Sequence, residues 1–204
     1  MLAYVLRGLI IGFSIAAPVG PIGLLCIRRT LAHGRAVGFV TGLGAATADA
    51  AYGAVAGFGL TALSGFLVRW QTPMRLIGGA FLCYLGVRTF LARPASRSAE
   101  RESRGLAGAY LSTLGLTLTN PSTILSFVAI FAGLGLGTSG ATDYVGASVL
   151  VGGVFLGSAA WWLILSGITG ALRGRFSPAG MRWVNRLSGA ILAGFGLAAL
   201  FALG

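Results

Sequence analysis

The sequence predicts an all-α integral membrane protein of six transmembrane helices, arranged as two inverted three-helix repeats. The first and fourth helices are broken by proline and glycine. Three observations predict it. The chain of 204 residues is 56% hydrophobic and 9% charged, with a mean hydropathy of +0.88, where a soluble domain carries roughly 25% charged residues. Its apolar residues gather in runs close to the ~20 residues a helix needs to cross a bilayer. Its two halves also carry matching short segments in the same order.

The first run, about 3–27, is interrupted by "AAPVGPIG" at 16–23. Proline removes a backbone donor and clashes with the preceding turn, and glycine loosens what remains. In hydrocarbon every freed backbone group needs a partner, so such a break survives only in a protein-lined or wet cavity. Arg7 followed by "GLIIGFSIAA" imitates a signal peptide, but the apolar run resumes after the break and six spans need the first, so it reads as mature sequence. Runs at 38–63 and 74–92 complete a first repeat, residues 1–92. The polar segment "RPASRSAERESR" opens a linker, 93–105, and the second repeat fills 106–204. Its runs are 106–136, long and interrupted by "TNPS", then 144–170 and 187–203.

The segments that match are "PVGP" (18–21) with "TNPS" (119–122), "ADAAYG" (48–53) with "GSAAWW" (157–162), and "RLIGGAFL" (75–82) with "RLSGAIL" (186–192). Their offsets are 100 (Pro21 to Pro121), 109 and 111 residues. An odd number of spans per half sets the copies upside down to each other. Inverted repeats with a broken helix at the same place in each point to a secondary transporter whose site lies at the breaks.

All 15 basic residues are Arg. With alternating spans, Arg28, Arg29, Arg35, Arg88, Arg93, Arg97, Arg101, Arg104, Arg173, Arg175, Arg182 and Arg186 fall on one side, and Arg7, Arg69 and Arg75 on the other. The Arg-rich side is cytoplasmic, which leaves both termini outside. The net charge of +11 therefore reports topology, and no nucleic-acid partner is expected. Trp70 and Trp183, beside Arg at span ends, read as interfacial anchors. The 34 glycines include G-x-x-x-G spacings at Gly34/Gly38/Gly42, Gly53/Gly57 and Gly153/Gly157, which suit close helix packing. The first of these faces could serve a second copy of the chain in a homodimer.

The residues 17–60, "APVGPIGLLCIRRTLAHGRAVGFVTGLGAATADAAYGAVAGFGL", with "LTLTNPSTILSF" (116–127) and "WWLILSG" (161–167), resemble the lysine exporter (LysE/RhtB) family of small amino-acid exporters. That family's Pro-Gly-Pro is stretched here to Pro18-Val19-Gly20-Pro21 and is followed by Gly34-Arg35. Its Asn-Pro signature is Asn120-Pro121, with Ser122 where Lys is usual. The resemblance implies proton-driven export of an amino acid or similar small metabolite across the bacterial cytoplasmic (inner) membrane. The substrate itself stays open.

A zwitterion needs one site for its carboxylate and one for its ammonium. Half-helices starting after Pro21 and Pro121 would aim free N–H groups and positive dipole ends at the first, with Asn120, Ser122 and Thr123 adding neutral hydrogen bonds. Pro18, Gly20, Pro21, Pro121 and these polar neighbours form the expected substrate site. Asp49 is the only acidic residue deep inside a span, and a carboxylate at the bilayer centre costs about 2.5–3.5 kcal/mol on the mildest scale. It is the candidate for proton coupling, binding either H⁺ or the substrate amine. Tyr52, three residues on, shares its helix face, and Trp161 is Tyr52's counterpart in the second repeat. No cofactor, metal or enzymatic activity is expected. His33 is the single histidine, and no nucleophilic triad falls in lipid-protected sequence. Two rival readings remain at this point: a cation or metal exporter of the same superfamily, and a thiol-disulfide electron carrier using Cys26 and Cys83.

Overall fold

The interrupted first run folds as two helices. In the computed structural model, which describes residues 1–18, 20–58, 69–91, 105–120, 123, 127, 144–175 and 177–201, α1 spans Leu2–Ala16 and α2 Pro21–His33. They are followed by α3 (Arg35–Gly57), α4 (Gln71–Phe90), α5 (Leu106–Leu118), α6 (Tyr144–Leu172) and α7 (Pro178–Phe201), with one 3₁₀ turn at Arg173–Arg175 between the last two. No strand occurs among the described residues. α6, at 29 residues, is long and apolar enough to cross a bilayer alone. α1 and α2 reach that measure only as a pair, bent by 79° at their break, and Leu76–Phe90 and Leu106–Leu118 are shorter apolar helices. Large apolar side chains face outward along α1 (Leu6, Ile10), α6 (Leu156, Leu163, Ile168) and α7 (Leu187, Phe195). Soluble proteins rarely expose contiguous apolar surface of this extent, and the architecture is that of a helical membrane protein.

Two helices extend well beyond the apolar runs that predict them. Residues 28–37, expected as a loop, are helical except for Gly34, whose φ of +97° reverses the chain in a single residue. The helix reaches His33 because its charges find oxygens. Arg29, only 7% exposed, donates to Thr41 Oγ1 (3.3 Å), Ala109 O (3.0 Å), Thr113 Oγ1 (3.0 Å) and Ser112 Oγ (2.9 Å). Arg173 donates to the carbonyls of Leu31 (2.9 Å) and Ala32 (2.8 Å), capping the last turn of α2. α7 starts at Pro178 rather than near 187. There Ser177 Oγ accepts the Gly180 N–H at 3.1 Å, and proline at the first helical position lacks only a donor that the helix could not have used.

The main helix pairs are α1 with α6, α3 with α6, α3 with α5, and α4 with α7, while α2 packs on α3, α6 and α7. Glycine sets how closely several of them approach. A Cβ at Gly12 would overlap the Val154 carbonyl of α6, one at Gly157 the Leu9 carbonyl of α1, and one at Gly44 the Tyr110 carbonyl of α5. Gly38 and Gly42 likewise meet Thr30 and the Trp162 side chain. That glycine face is filled within the chain, which leaves it no room to receive a second copy. Gly53 and Gly57 meet α6 only at ordinary van der Waals distance, 3.6–3.8 Å.

Candidate functional site

Both breaks are built from backbone that stops being helical where its neighbours can use the freed groups. Gly20 is the N-cap of α2, with extended backbone (φ −99°, ψ −161°), and Pro21 follows at the first helical position. An α-helix has no internal partner for its first N–H groups, so those of Ile22 and Gly23 face whatever lies beyond the helix end. At the second break α5 ends at Leu118. Its last carbonyls are taken up locally: Thr119 N–H donates to Gly115 O (3.0 Å), Asn120 N–H to Thr117 O (3.2 Å), and the Tyr52 hydroxyl to Leu118 O (2.6 Å).

The two breaks border one cavity of ≈ 280 Å³, near the lower end of the roughly 300–1,000 Å³ that small-molecule pockets occupy. Pro18, Gly20, Pro21, Ile22 and Gly23 line it from the first break, and Thr117, Asn120 and Thr123 from the second. α3 contributes Ala45 and Asp49, and α6 contributes Trp162. Pro18, Gly20, Pro21, Asp49 and Asn120, five of the residues expected from the sequence, thus come together. Pro121 and Ser122 lie outside the described residues. Tyr52 is buried beside the cavity, with its ring 5.6 Å from that of Phe127. Trp161 turns away and meets Phe13 edge-on at 5.4 Å; its neighbour Trp162 lines the cavity instead.

Asp49 is 3% exposed. Its Oδ2 accepts a hydrogen bond from Ser158 Oγ at 2.7 Å, and Ser158 Oγ accepts one from Trp162 Nε1 at 3.1 Å. Oδ1 accepts none among the described residues. One carboxylate oxygen is therefore fixed from α6 while the residue borders the cavity. The cavity also lies between two apolar clusters. It shares Ala16, Ile22, Ala45 and Trp162 with one, and Ile15 packs against the other, formed by Ile11, Tyr52, Phe127, Leu150 and Val154. Apolar walls strengthen every charge interaction inside them. Ser158 is legible only through the repeat match at offset 109, which sets it opposite Asp49, and Trp162 only as the neighbour of Trp161. Thr117 carries no comparable signal in sequence.

Chemically, the arrangement offers helix N–H donors and a positive dipole end for an anionic group, and a single carboxylate for a cationic one. The cysteines lie in different packing interfaces, Cys26 Sγ donating to Gly38 O (3.3 Å) and Cys83 Sγ to Ala193 O (3.8 Å), and both are free thiols. No three of His, Cys, Asp and Glu gather among the described residues.

Comparison with known proteins places this geometry in context. The family model described as LysE type translocator matches residues 13–202. The chain is 26% identical over 192 residues to the "Putative amino acid efflux protein YcgF" of Bacillus subtilis, covering 92% of this chain and 90% of that one. It is 27% identical over 179 residues to the "Uncharacterized membrane protein YahN" of Escherichia coli, covering 86% and 79%. No solved structure matches. A match along nearly the whole chain shows the family: the chain belongs to the LysE type translocators and is a membrane transporter.

Proposed function

We propose that the chain exports an amino acid or a closely related small metabolite across the bacterial cytoplasmic membrane in exchange for protons. The cavity that joins both helix breaks to Asp49, the one deeply embedded carboxylate, carries this reading. The substrate carboxylate would sit at the N–H groups opening α2, with Asn120 beside it, and its ammonium at Asp49. Asp49 holds either that ammonium or a proton, never both, since one buried carboxylate balances one positive charge. Export then follows from which occupant is carried each way: substrate outward, proton inward. The substrate name of the Bacillus subtilis relative agrees with this choice of solute.

The six-span inverted-repeat arrangement belongs to the same proposal, and the helix pairing supports it. Exchanging the halves turns α1 with α6 into α5 with α3, and returns α3 with α6 and α4 with α7 to themselves; all four pairs occur. Gly44, tight against α5, and Gly153, tight against α1, are 109 residues apart, as are Asp49 and Ser158. The Asp49–Ser158 hydrogen bond would then join equivalent positions of the two repeats. With twelve Arg on the α2–α3, linker and α6–α7 side and three on the other, those connections face the cytoplasm and both termini lie outside.

The test is to load cells with each common amino acid as a dipeptide and measure efflux with and without the protein. Selective efflux of one or a few amino acids that collapses with the proton gradient is expected. Efflux unchanged by the protein for every amino acid would move the solute to another class.

A further inference from the structure

A second pocket lies away from the proposed transport cavity, at the ends of α2 and α4. It measures ≈ 110 Å³ and is lined by Arg28, Arg29, His33, Arg88 and Thr89, with Val37, Leu85 and Ala109. We infer that this pocket binds the phosphate of an anionic lipid headgroup, with Arg88 and Thr89 as its principal contacts.

Thr89 is the first reason. Membrane helices commonly satisfy a threonine hydroxyl on the carbonyl four residues back, and this chain does so at Thr30, Thr41, Thr47, Thr113 and Thr117, at 2.8–3.0 Å. Thr89 does not. Its Oγ1 is buried in a residue 1% exposed and meets no hydrogen-bond partner among the described residues. A buried hydroxyl left unmade is costly, and here it borders a pocket ringed by cations.

Charge is the second. Arg29 is committed to α3 and α5 by the four hydrogen bonds described above, whereas Arg88 makes one among the described residues, from Nη1 to the Tyr84 hydroxyl at 3.3 Å. The C-terminal ends of α2 and α4 contribute about half a negative charge each, which the three guanidiniums outweigh. A planar guanidinium is well matched to phosphate oxygens. The third reason separates a lipid from a free anion. Tyr84, Val87, Phe90 and Leu91, flanking Arg88 on the same helix end, are exposed, so an acyl chain attached to the phosphate has apolar surface to follow. The arginine distribution puts this end in the cytoplasmic leaflet, where basic pockets between helices recognise anionic headgroups.

The test uses the full chain purified in detergent and titrated with dihexanoyl phosphatidylglycerol, dihexanoyl phosphatidylcholine and inorganic phosphate. Binding is followed by native mass spectrometry and by the thermal midpoint. Phosphatidylglycerol should bind best and stabilise the protein. Arg88→Gln and Thr89→Val, the latter nearly isosteric, should each weaken it by about tenfold or more, while Arg7→Gln, outside the pocket, should not. Inorganic phosphate binding as tightly as phosphatidylglycerol would overturn the lipid assignment in favour of a free anion. Phosphatidylglycerol binding indifferent to both variants would overturn the site.

Discussion

Asp49 stands out in the sequence because lipid makes an idle carboxylate expensive, and its hydrogen bond from Ser158 is what the sequence alone could not supply. Ser158 donates to Oδ2 from another helix and accepts from Trp162 one turn along. Ser158→Ala removes the carboxylate's only donor among the described residues and leaves the Trp162 N–H without its Ser158 acceptor. The expected cost is about 1–3 kcal/mol, read as a lower midpoint in thermal denaturation, with substrate transport impaired at the same time. An unchanged midpoint would mean the hydrogen bond contributes nothing. The aromatic that lines the cavity is Trp162, next to Tyr52's counterpart, for a geometric reason. Trp161 stands 109 residues from Tyr52, as Ser158 does from Asp49, but one residue is about 100° around a helix. Ser158 and Trp162, at i and i+4, share one helix face, from which Trp162 lines the cavity, and Trp161 meets Phe13. Asn120 and the Pro18–Pro21 segment were legible because proline and glycine leave marks that no context erases.

Among elements, the break between α1 and α2 is the feature most directly written in the chain, and the helix ends are the least. Hydropathy places a boundary where residues turn polar. The structure continues α2 through Arg28 and Arg29 because side-chain and backbone oxygens of α3 and α5 receive the charge, contacts some 80 residues apart in sequence. The start of α7 is legible in principle, since Ser177-Pro178 is a capping residue followed by proline at the first helical position, although the apolar run begins only near 187. Helix contacts themselves rest on glycine. Gly12→Ala would drive a methyl into the Val154 carbonyl, and overpacking of this kind typically costs about 1–3 kcal/mol. Gly152→Ala, on the same α6 with nothing within 4 Å of its added Cβ, should be neutral or stabilise by up to about 1 kcal/mol from helix propensity. Thermal melts of the two purified variants separate the cases, and equal midpoints would mean α1 does not rest on α6 in this way.

Across the whole molecule, composition fixes the class and arginine placement the expected orientation, because both depend on solvent rather than on tertiary contacts. The proposed repeat is fainter. Three short matches carry it in sequence, and the proposal gains support from helix pairs that exchange into one another, which no single sequence displays. What the fold adds to the family identity is convergence: the break between α1 and α2, the end of α5 and one buried carboxylate border a single cavity. The most direct test of that account is transport in proteoliposomes loaded with the amino acid identified in cells, with an imposed proton gradient, for the native chain and Asp49→Asn. The variant keeps an acceptor for Ser158 and should fold and bind substrate weakly, yet lose gradient-driven flux by at least about 100-fold, the loss expected when a group essential to the cycle is removed. Gradient-driven flux by Asp49→Asn at the native rate would contradict the account.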